Sequence, residues 1–373
     1  MELAVLREPD PRERRVAVTP HDLPALKKLG IQIRLESGAG EAAGYPDEAY
    51  HSAGAVVLDD PGEALKGADL WVAVQLAGHP GSDPTPAHRF PQASVAMGLV
   101  GFEPPADWLR ELEERRVTLL SLERLPRITR AQSMDVLSSQ ATVSGYLSVL
   151  RAATHLPRFL PMLTTAAGTI RPARVLVMGA GVAGLQAIAT ARRLGSVVTG
   201  YDIRPAAREQ IRSLGAQSLE EEDAVGAEGE GGYARSLSQG EQERQMEFLA
   251  RSVPQFDVVI TTAQIPGKAA PTLVTVEMVE AMSPGSVIMD LAAETGGNCP
   301  LSRPGEIVKH GGVTLDAPVL LPSGLPGDAS RMFGRNVTAL LRHMVKDGNL
   351  VLDMEDEITS AIAVTLPQEG NDG

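Results

Sequence analysis

Three glycines in the run Gly179-Ala180-Gly181-Val182-Ala183-Gly184 have the spacing of a turn that cradles a dinucleotide pyrophosphate. Spacing alone is weak, because glycine is common, so the flanking residues decide. Val175-Leu176-Val177-Met178 reads as the strand before the turn, and Leu185–Leu194 as a helix after it that Gly195 can end. In such a turn Gly179 permits the tight bend, Gly181 lets the backbone approach the pyrophosphate, and Gly184 lets helix and strand pack closely. The helix N-terminus favours the anion. The following strand ends at Tyr201-Asp202, about 20 residues on, where a carboxylate can bond the ribose hydroxyls and repel a 2′-phosphate. NAD is therefore expected over NADP. Arg204 is the residue that could in principle hold a 2′-phosphate, with Asp202 in its way. Ile203 lies between them.

A dehydrogenase acting on an alcohol or amine needs a proton acceptor beside the substrate, usually His, Lys or a bound metal. The seven histidines, at 21, 51, 79, 88, 155, 310 and 343, show no metal-ligand spacing, and surface or packing roles are expected for them. The single cysteine, Cys299, excludes an intrachain disulfide and a cysteine-based zinc site, and no metal is expected. The polar run Arg127 to Ser138, between apolar elements, is dense in hydrogen-bonding side chains. Helix capping by Asp135 or Ser133 would account for part of it and leave Arg127, Gln132 and Ser138 without a task.

These residues need a scaffold. The first third alternates β-rich runs, at 2–7, 31–36, 55–58, 70–76 and 94–100, with helical patterns at 21–29 and 107–116, the rhythm of βαβ units and a mostly parallel sheet. A low-charge helix over Val136 to Leu156 is expected to be largely buried and to connect two domains. A second series of strands follows at 174–178, 196–201, 256–262, 286–291 and 313–315, and a helix over 331–345 is expected to return to the first domain. The expected fold is α/β, with two Rossmann-like, doubly wound domains joined by long helices. One domain spans 1–135 plus 327–373 and the other 136–326. The segment 220–245, crowded with Glu, Gly, Ser and Gln around Tyr233, is expected to be a mobile flap with no core of its own.

Composition narrows the partners. With 34 Lys and Arg against 47 Asp and Glu the net charge is -13, so no basic face is expected for nucleic acid. No apolar run approaches the ~20 residues of a membrane-spanning helix, and the N-terminus lacks signal-peptide features. A reducing, cytoplasmic setting is expected.

Four stretches carry a family resemblance: 126–140 around Arg127-Ile128-Thr129-Arg130-Ala131-Gln132-Ser133-Met134-Asp135, then 179–195, then Thr261-Thr262-Ala263-Gln264-Ile265-Pro266-Gly267-Lys268, and Asp290-Leu291-Ala292 through Gly296-Gly297-Asn298-Cys299-Pro300. Over nearly its whole length the chain resembles the NAD(H)-binding component, domain I or alpha-1, of proton-translocating nicotinamide nucleotide transhydrogenase. The resemblance implies reversible, Re/Si-specific hydride transfer between NAD(H) on this chain and NADP(H) on a partner subunit, coupled to proton movement by a separate transmembrane subunit. It implies that Arg127, Gln132, Asp135 and Ser138 hold the nicotinamide end, that Thr262, Ala263 and Gln264 contact the nucleotide, and that Tyr233 closes over it. It also implies a homodimer, and a location on the cytoplasmic face of the inner membrane through partners. Hydride passage between two nicotinamides moves no proton at the reacting carbons, so positioning can suffice and a general base is unnecessary.

The opening Glu13-Arg14-Arg15-Val16-Ala17-Val18-Thr19-Pro20 is equally similar to alanine dehydrogenase, where Arg15 would grip a substrate carboxylate. That family has a lysine after the strand at 70–75 and a histidine ending the strand at 94–97, where this chain has Gln75 and Met97 or its neighbours. A third reading, a non-catalytic NAD-binding regulatory module, leaves the Arg127 to Ser138 loop unused.

Overall fold

The structure, a computed structural model, describes residues 1–79, 83–220, 238–264 and 267–366. It divides into two compact units, Met1–Gln140 with Pro322–Gly373, and Ala141–Leu321. The division falls at 140 and 322 rather than at 135 and 327. Gln140 accepts from Arg15 and donates to the Ala329 carbonyl, and Ser323 donates to Glu13, so these flanking residues are fastened into the first unit.

The first unit opens with β1 (Glu2–Val5), α1 (Leu23–Lys28), β2 (Gln32–Glu36), α2 (Asp47–Ala53), β3 (Val56–Leu58), α3 (Pro61–Leu65), β4 (Leu70–Gln75), β5 (Val95–Leu99), α4 (Ala106–Glu114) and β6 (Thr118–Ser121). Helix α5 (Val136–His155) carries the chain out of it. The second unit follows with the hairpin β7 (Leu163–Thr165) and β8 (Gly168–Ile170), then β9 (Arg174–Met178), α6 (Val182–Arg193), β10 (Val197–Tyr201), α7 (Pro205–Ser213) and β11 (Gln217–Ser218). It is completed by α8 (Gln239–Ser252), β12 (Val258–Thr261), α9 (Val276–Ala281), β13 (Val287–Asp290), β14 (Ile307–His310) and β15 (Val313–Asp316). Helix α10 (Pro326–Met344), the hairpin β16 (Val345–Lys346) and β17 (Asn349–Leu350), α11 (Glu357–Ile362) and β18 (Ala363–Thr365) then return to the first unit.

Each unit is a doubly wound sheet of seven strands. The first has the order β18-β6-β5-β4-β1-β2-β3 and the second β11-β10-β9-β12-β13-β15-β14, parallel except where β18 meets β6 and β14 meets β15. The cause is readable strand by strand. Leu3 and Val5 enter one core cluster and Ala4 and Leu6 another; Val175 and Val177 likewise part from Leu176 and Met178. A strand buried on both faces reads as a continuous apolar run, and helices must cover both sides.

Three expectations change. Of the segment 220–245, expected to be a mobile flap with no core of its own, residues 221–237 lie outside the described residues, and helix α8 begins at Gln239. Ser238 and Glu241 close a capping box at its start, and Leu249 anchors it in the core. Polarity there marks a solvated helix face, not a missing helix. The helix after the glycine turn starts at Val182 instead of Leu185, because Gly181 is already its N-cap. Helix α10 starts at Pro326, a favourable first helical residue, before the expected 331. Helix α5 joins the two units as expected, though its burial alternates and Tyr146 stays 39% exposed.

Candidate functional site

In a doubly wound sheet the ligand crevice opens at the carboxyl ends of the strands where strand order reverses. In the second unit that point lies between β9 and β12. The turn Gly179-Ala180-Gly181 leaves β9 there, and Thr262-Ala263-Gln264 leaves β12.

The three glycines have three separable causes. Gly179 has φ +98°, a left-handed conformation, and a Cβ on it would lie 2.7 Å from Thr262 Oγ1. A Cβ on Gly184 would meet the Gly179 carbonyl oxygen at 1.8 Å, so the first turn of α6 lies directly on the bend. Gly181 is different: its φ is -75°, and a Cβ there would touch no atom within 4 Å. Neither backbone strain nor packing inside the protein demands glycine at 181. The first-turn N–H groups of α6, on Val182, Ala183 and Gly184, have no intrahelical acceptor and lie at the positive end of the helix dipole.

Asp202 follows β10 and is 6% exposed. Its carboxylate accepts from Ala180 N at 2.8 Å and from Arg204 through the backbone N at 2.9 Å, Nε at 2.9 Å and Nη2 at 2.7 Å. Burial alone would raise its pKa; the Arg204 guanidinium and the two N–H groups outweigh that and hold it below the usual carboxylate value. Arg208 donates Nε to the Asp202 carbonyl at 2.9 Å.

Tyr201 is turned inward: it belongs to a core cluster, and its hydroxyl accepts from Gln245 Nε2 at 2.9 Å. Its carbonyl accepts from Gly179 N at 2.8 Å and so braces the turn. Ile203 packs against the same core. Thr262 Oγ1 donates to the Gly179 carbonyl at 3.0 Å, tying the two crevice loops together, and Gln264 Nε2 donates to Leu291 O at 2.9 Å.

Two residues outside the expected set govern that loop. Asn298 accepts from Ala263 N at 3.1 Å and donates to Ala263 O at 2.9 Å. Asp290, 1% exposed, accepts from Thr261, Ala292, Asn298, Cys299 and Ser302, which folds the 290–302 segment around one carboxylate. The motif Asp290 to Pro300 signals them; their positioning role emerges only from the fold.

Arg127, Gln132, Asp135 and Ser138 belong to the first unit. A 3-10 turn over Thr129–Met134 leads into α5, with Ala131 and Met134 buried and Arg127 and Gln132 exposed. Asp135 caps α5: Ser138 donates its N–H to Oδ1 at 2.9 Å and its hydroxyl to Oδ2 at 2.5 Å. Asn336 on α10 donates to the Ser133 carbonyl at 2.9 Å, fastening the turn from the other side. Tyr233 lies outside the described residues.

The first unit has its own reversal point, between β1 and β4. Glu8 accepts from Val74 N at 2.7 Å and Gln75 N at 3.0 Å. Arg15, 4% exposed, forks onto Glu13 through Nε at 2.8 Å and Nη2 at 2.5 Å, and gives Nη1 to Gln140 at 2.8 Å. His79, buried, stands 3.2 Å from Glu13, and His155 and His343 likewise pair with Asp316 and Asp356. Burial opposes the Glu13 charge, but Arg15, His79 and Ser323 overcome it and its pKa is lowered. Gln75 is turned to the Gly78 carbonyl and Met97 is fully buried. Among the described residues no group of three or more His, Cys, Asp or Glu could hold a metal, and no helix is long and apolar enough to cross a membrane.

The family profile described as alanine dehydrogenase/PNT, N-terminal domain, matches residues 4–144, and that described as alanine dehydrogenase/PNT, C-terminal domain, matches residues 148–369. A Rhodospirillum rubrum protein named as an NAD(P) transhydrogenase alpha subunit is 43% identical over 98% of this chain and 96% of its own length. A solved structure described as transhydrogenase from Sinorhizobium meliloti superposes with a TM-score of 0.88 at 40% identity, covering 98% of this chain and 99% of the other. An alanine dehydrogenase of Bacillus subtilis is 28% identical over 80% of this chain and 72% of its own length.

Proposed function

The chain belongs to the alanine dehydrogenase/PNT family, in its transhydrogenase alpha-subunit branch, and from that premise we propose that it binds NAD(H) and exchanges hydride reversibly with NADP(H) on a partner subunit. The observation that carries the dinucleotide site is Gly181, a glycine with no structural reason inside the protein at the N-terminus of α6. A pyrophosphate fits there: the bend is held by Thr262 and Tyr201, and α6 presents its first-turn N–H groups and its positive end. Asp202 favours NAD(H), since a buried carboxylate held ionised repels a 2′-phosphate.

Bound NAD(H) supplies or accepts the hydride; the residues of this chain position it. Asp135 and Ser138 bond the nicotinamide end, Arg127 orients the carboxamide or ribose, and Gln132, exposed on the 3-10 turn, reaches toward the facing NADP(H). Tyr233 closes over the nucleotide and excludes water. Proton translocation is carried by separate transmembrane subunits, and this chain sits at the cytoplasmic face of the inner membrane through them, as a homodimer.

An alanine dehydrogenase activity is disfavoured by the first unit. Arg15 is committed to Glu13 and Gln140, and Gln75 and Met97 supply neither a second cation nor a proton relay. The deciding experiment is reduction of an NADP analogue by NADH with the purified chain, with and without an NADP(H)-binding transhydrogenase subunit, and with pyruvate plus ammonium as control. Transfer only with the partner is expected; NADH oxidation by pyruvate and ammonium with the chain alone would overturn the assignment.

A further inference from the structure

The carboxylate of Asp202 has no acceptor capacity to spare. Two oxygens offer about four lone-pair directions, and four donors already take them: Ala180 N and Arg204 Nη2 on Oδ2, Arg204 N and Arg204 Nε on Oδ1. The side chain is 6% exposed, so water cannot add a further partner freely. Two of the four donors are backbone groups held by the turn and by the start of α7. The guanidinium is the one donor on a movable side chain, and it is 20% exposed.

We propose that Arg204 is a specificity-determining residue: its guanidinium leaves the Asp202 carboxylate when the adenosine ribose is bound, and Asp202 in turn keeps it from serving a 2′-phosphate. This rests on the NAD(H) reading above and deepens it. For the ribose hydroxyls to donate to Asp202, lone pairs must be vacated, and only the Arg204 fork can vacate them. The fork is therefore a built-in competitor for the ribose.

The same pair explains discrimination against NADP(H). A guanidinium near a ribose is the usual ligand for a 2′-phosphate, and Arg208 adds a second positive charge, tied to the Asp202 carbonyl at 2.9 Å. Two arginines at this end would suit a phosphate dianion. The Asp202 charge cancels the nearer one and would itself face the phosphate if the fork opened. Selectivity thus belongs to the pair: the carboxylate rejects the phosphate both by repulsion and by holding its would-be ligand.

Equilibrium titration of the full chain with NADH and with NADPH, for the unaltered protein, Arg204→Ala, Asp202→Asn and the double variant, separates the possibilities. Arg204→Ala is expected to bind NADH about threefold or more tighter, because a competing charge-assisted fork is gone, with NADPH binding still weak. Asp202→Asn is expected to raise NADPH affinity about tenfold or more by releasing the guanidinium, and the double variant to lose that gain. A purely structural role for Arg204 would weaken both nucleotides together. NADH binding weakened tenfold by Arg204→Ala, or an NADPH gain that survives in the double variant, overturns the proposal. Should Asp202→Asn fail to fold, the direction of the Arg204→Ala change decides alone. Failure of the unaltered chain to bind NADH would instead sink the dinucleotide reading itself, and this proposal with it.

Discussion

Asp135 and Ser138 bind each other: the carboxylate at the start of α5 accepts both the N–H and the hydroxyl of Ser138, at 2.9 and 2.5 Å. Capping therefore accounts for Ser138 as well as Asp135, and the proposed nicotinamide contact must be argued apart from stability. Ser138→Ala leaves the N–H bond of the cap in place, so unfolding free energy is expected to fall by less than about 1 kcal/mol. Hydride transfer in the assembled complex is expected to fall about tenfold or more, through kcat rather than KM, because a group aligning the reacting ring acts mainly on the transition state. Rapid kinetics beside a thermal melt would check this; an unchanged transfer rate would leave the residue as a cap alone.

Gly181→Ala and Gly184→Ala form a matched pair. At 181 the new methyl meets no protein atom and the backbone already suits alanine, so stability is expected to stay within about 0.5 kcal/mol. NADH affinity is expected to drop about tenfold or more, since the methyl occupies the pyrophosphate approach. At 184 the methyl falls 1.8 Å from the Gly179 carbonyl, and the turn must open at a cost of about 1–3 kcal/mol or more. Normal NADH binding by the 181 variant would remove the case for a ligand role there.

How far these features are legible in the sequence depends on the range of the interactions behind them. The glycine turn and the strands with split core faces are local: Val175 and Leu176 declare opposite faces by adjacency. The Ser238–Glu241 box is equally local, yet the surrounding polarity hides it. What no window of sequence contains is pairing across the fold. Asn298 bracketing Ala263, Glu13 holding Arg15 beside His79 and Ser323, and Asn336 fastening Ser133 join residues brought together by sheet order and by the return of α10. Arg204 stands two residues from Asp202, but spacing alone leaves open whether the arginine is a phosphate ligand or an internal partner.

Gly145 on α5 is as tightly packed as Gly179 and Gly184. A Cβ there would lie 2.1 Å from the Ala183 carbonyl oxygen, so α5 rests on the first turn of α6. Gly145→Ala is expected to cost about 1–3 kcal/mol by pushing the helices apart. Because the displaced turn carries the N–H groups at 182–184, NADH affinity should fall with it. A destabilised variant with unchanged affinity would show that the α5 contact serves folding only.

Glu8 ties the fold to pH. Burial first, and the nearby Glu13 charge second, push its carboxyl from the ordinary 4.5 up to about 8, against the N–H groups of Val74 and Gln75, which pull it down. Glu13 stays ionised against Arg15, so the neighbouring acid keeps its proton. The folded value lies above the unfolded one, so between about 4.5 and 8 the folded chain holds a proton that the unfolded chain has released. Stability from this group is fully present below pH 4.5 and is lost as pH rises toward 8, by an amount on the order of a few kcal/mol. Glu8→Gln fixes the neutral form and retains an acceptor for one of the two N–H groups. Denaturant unfolding between pH 5 and 8 should then show a decline in the unaltered chain that is largely flattened in the variant; parallel declines would mean that another group titrates.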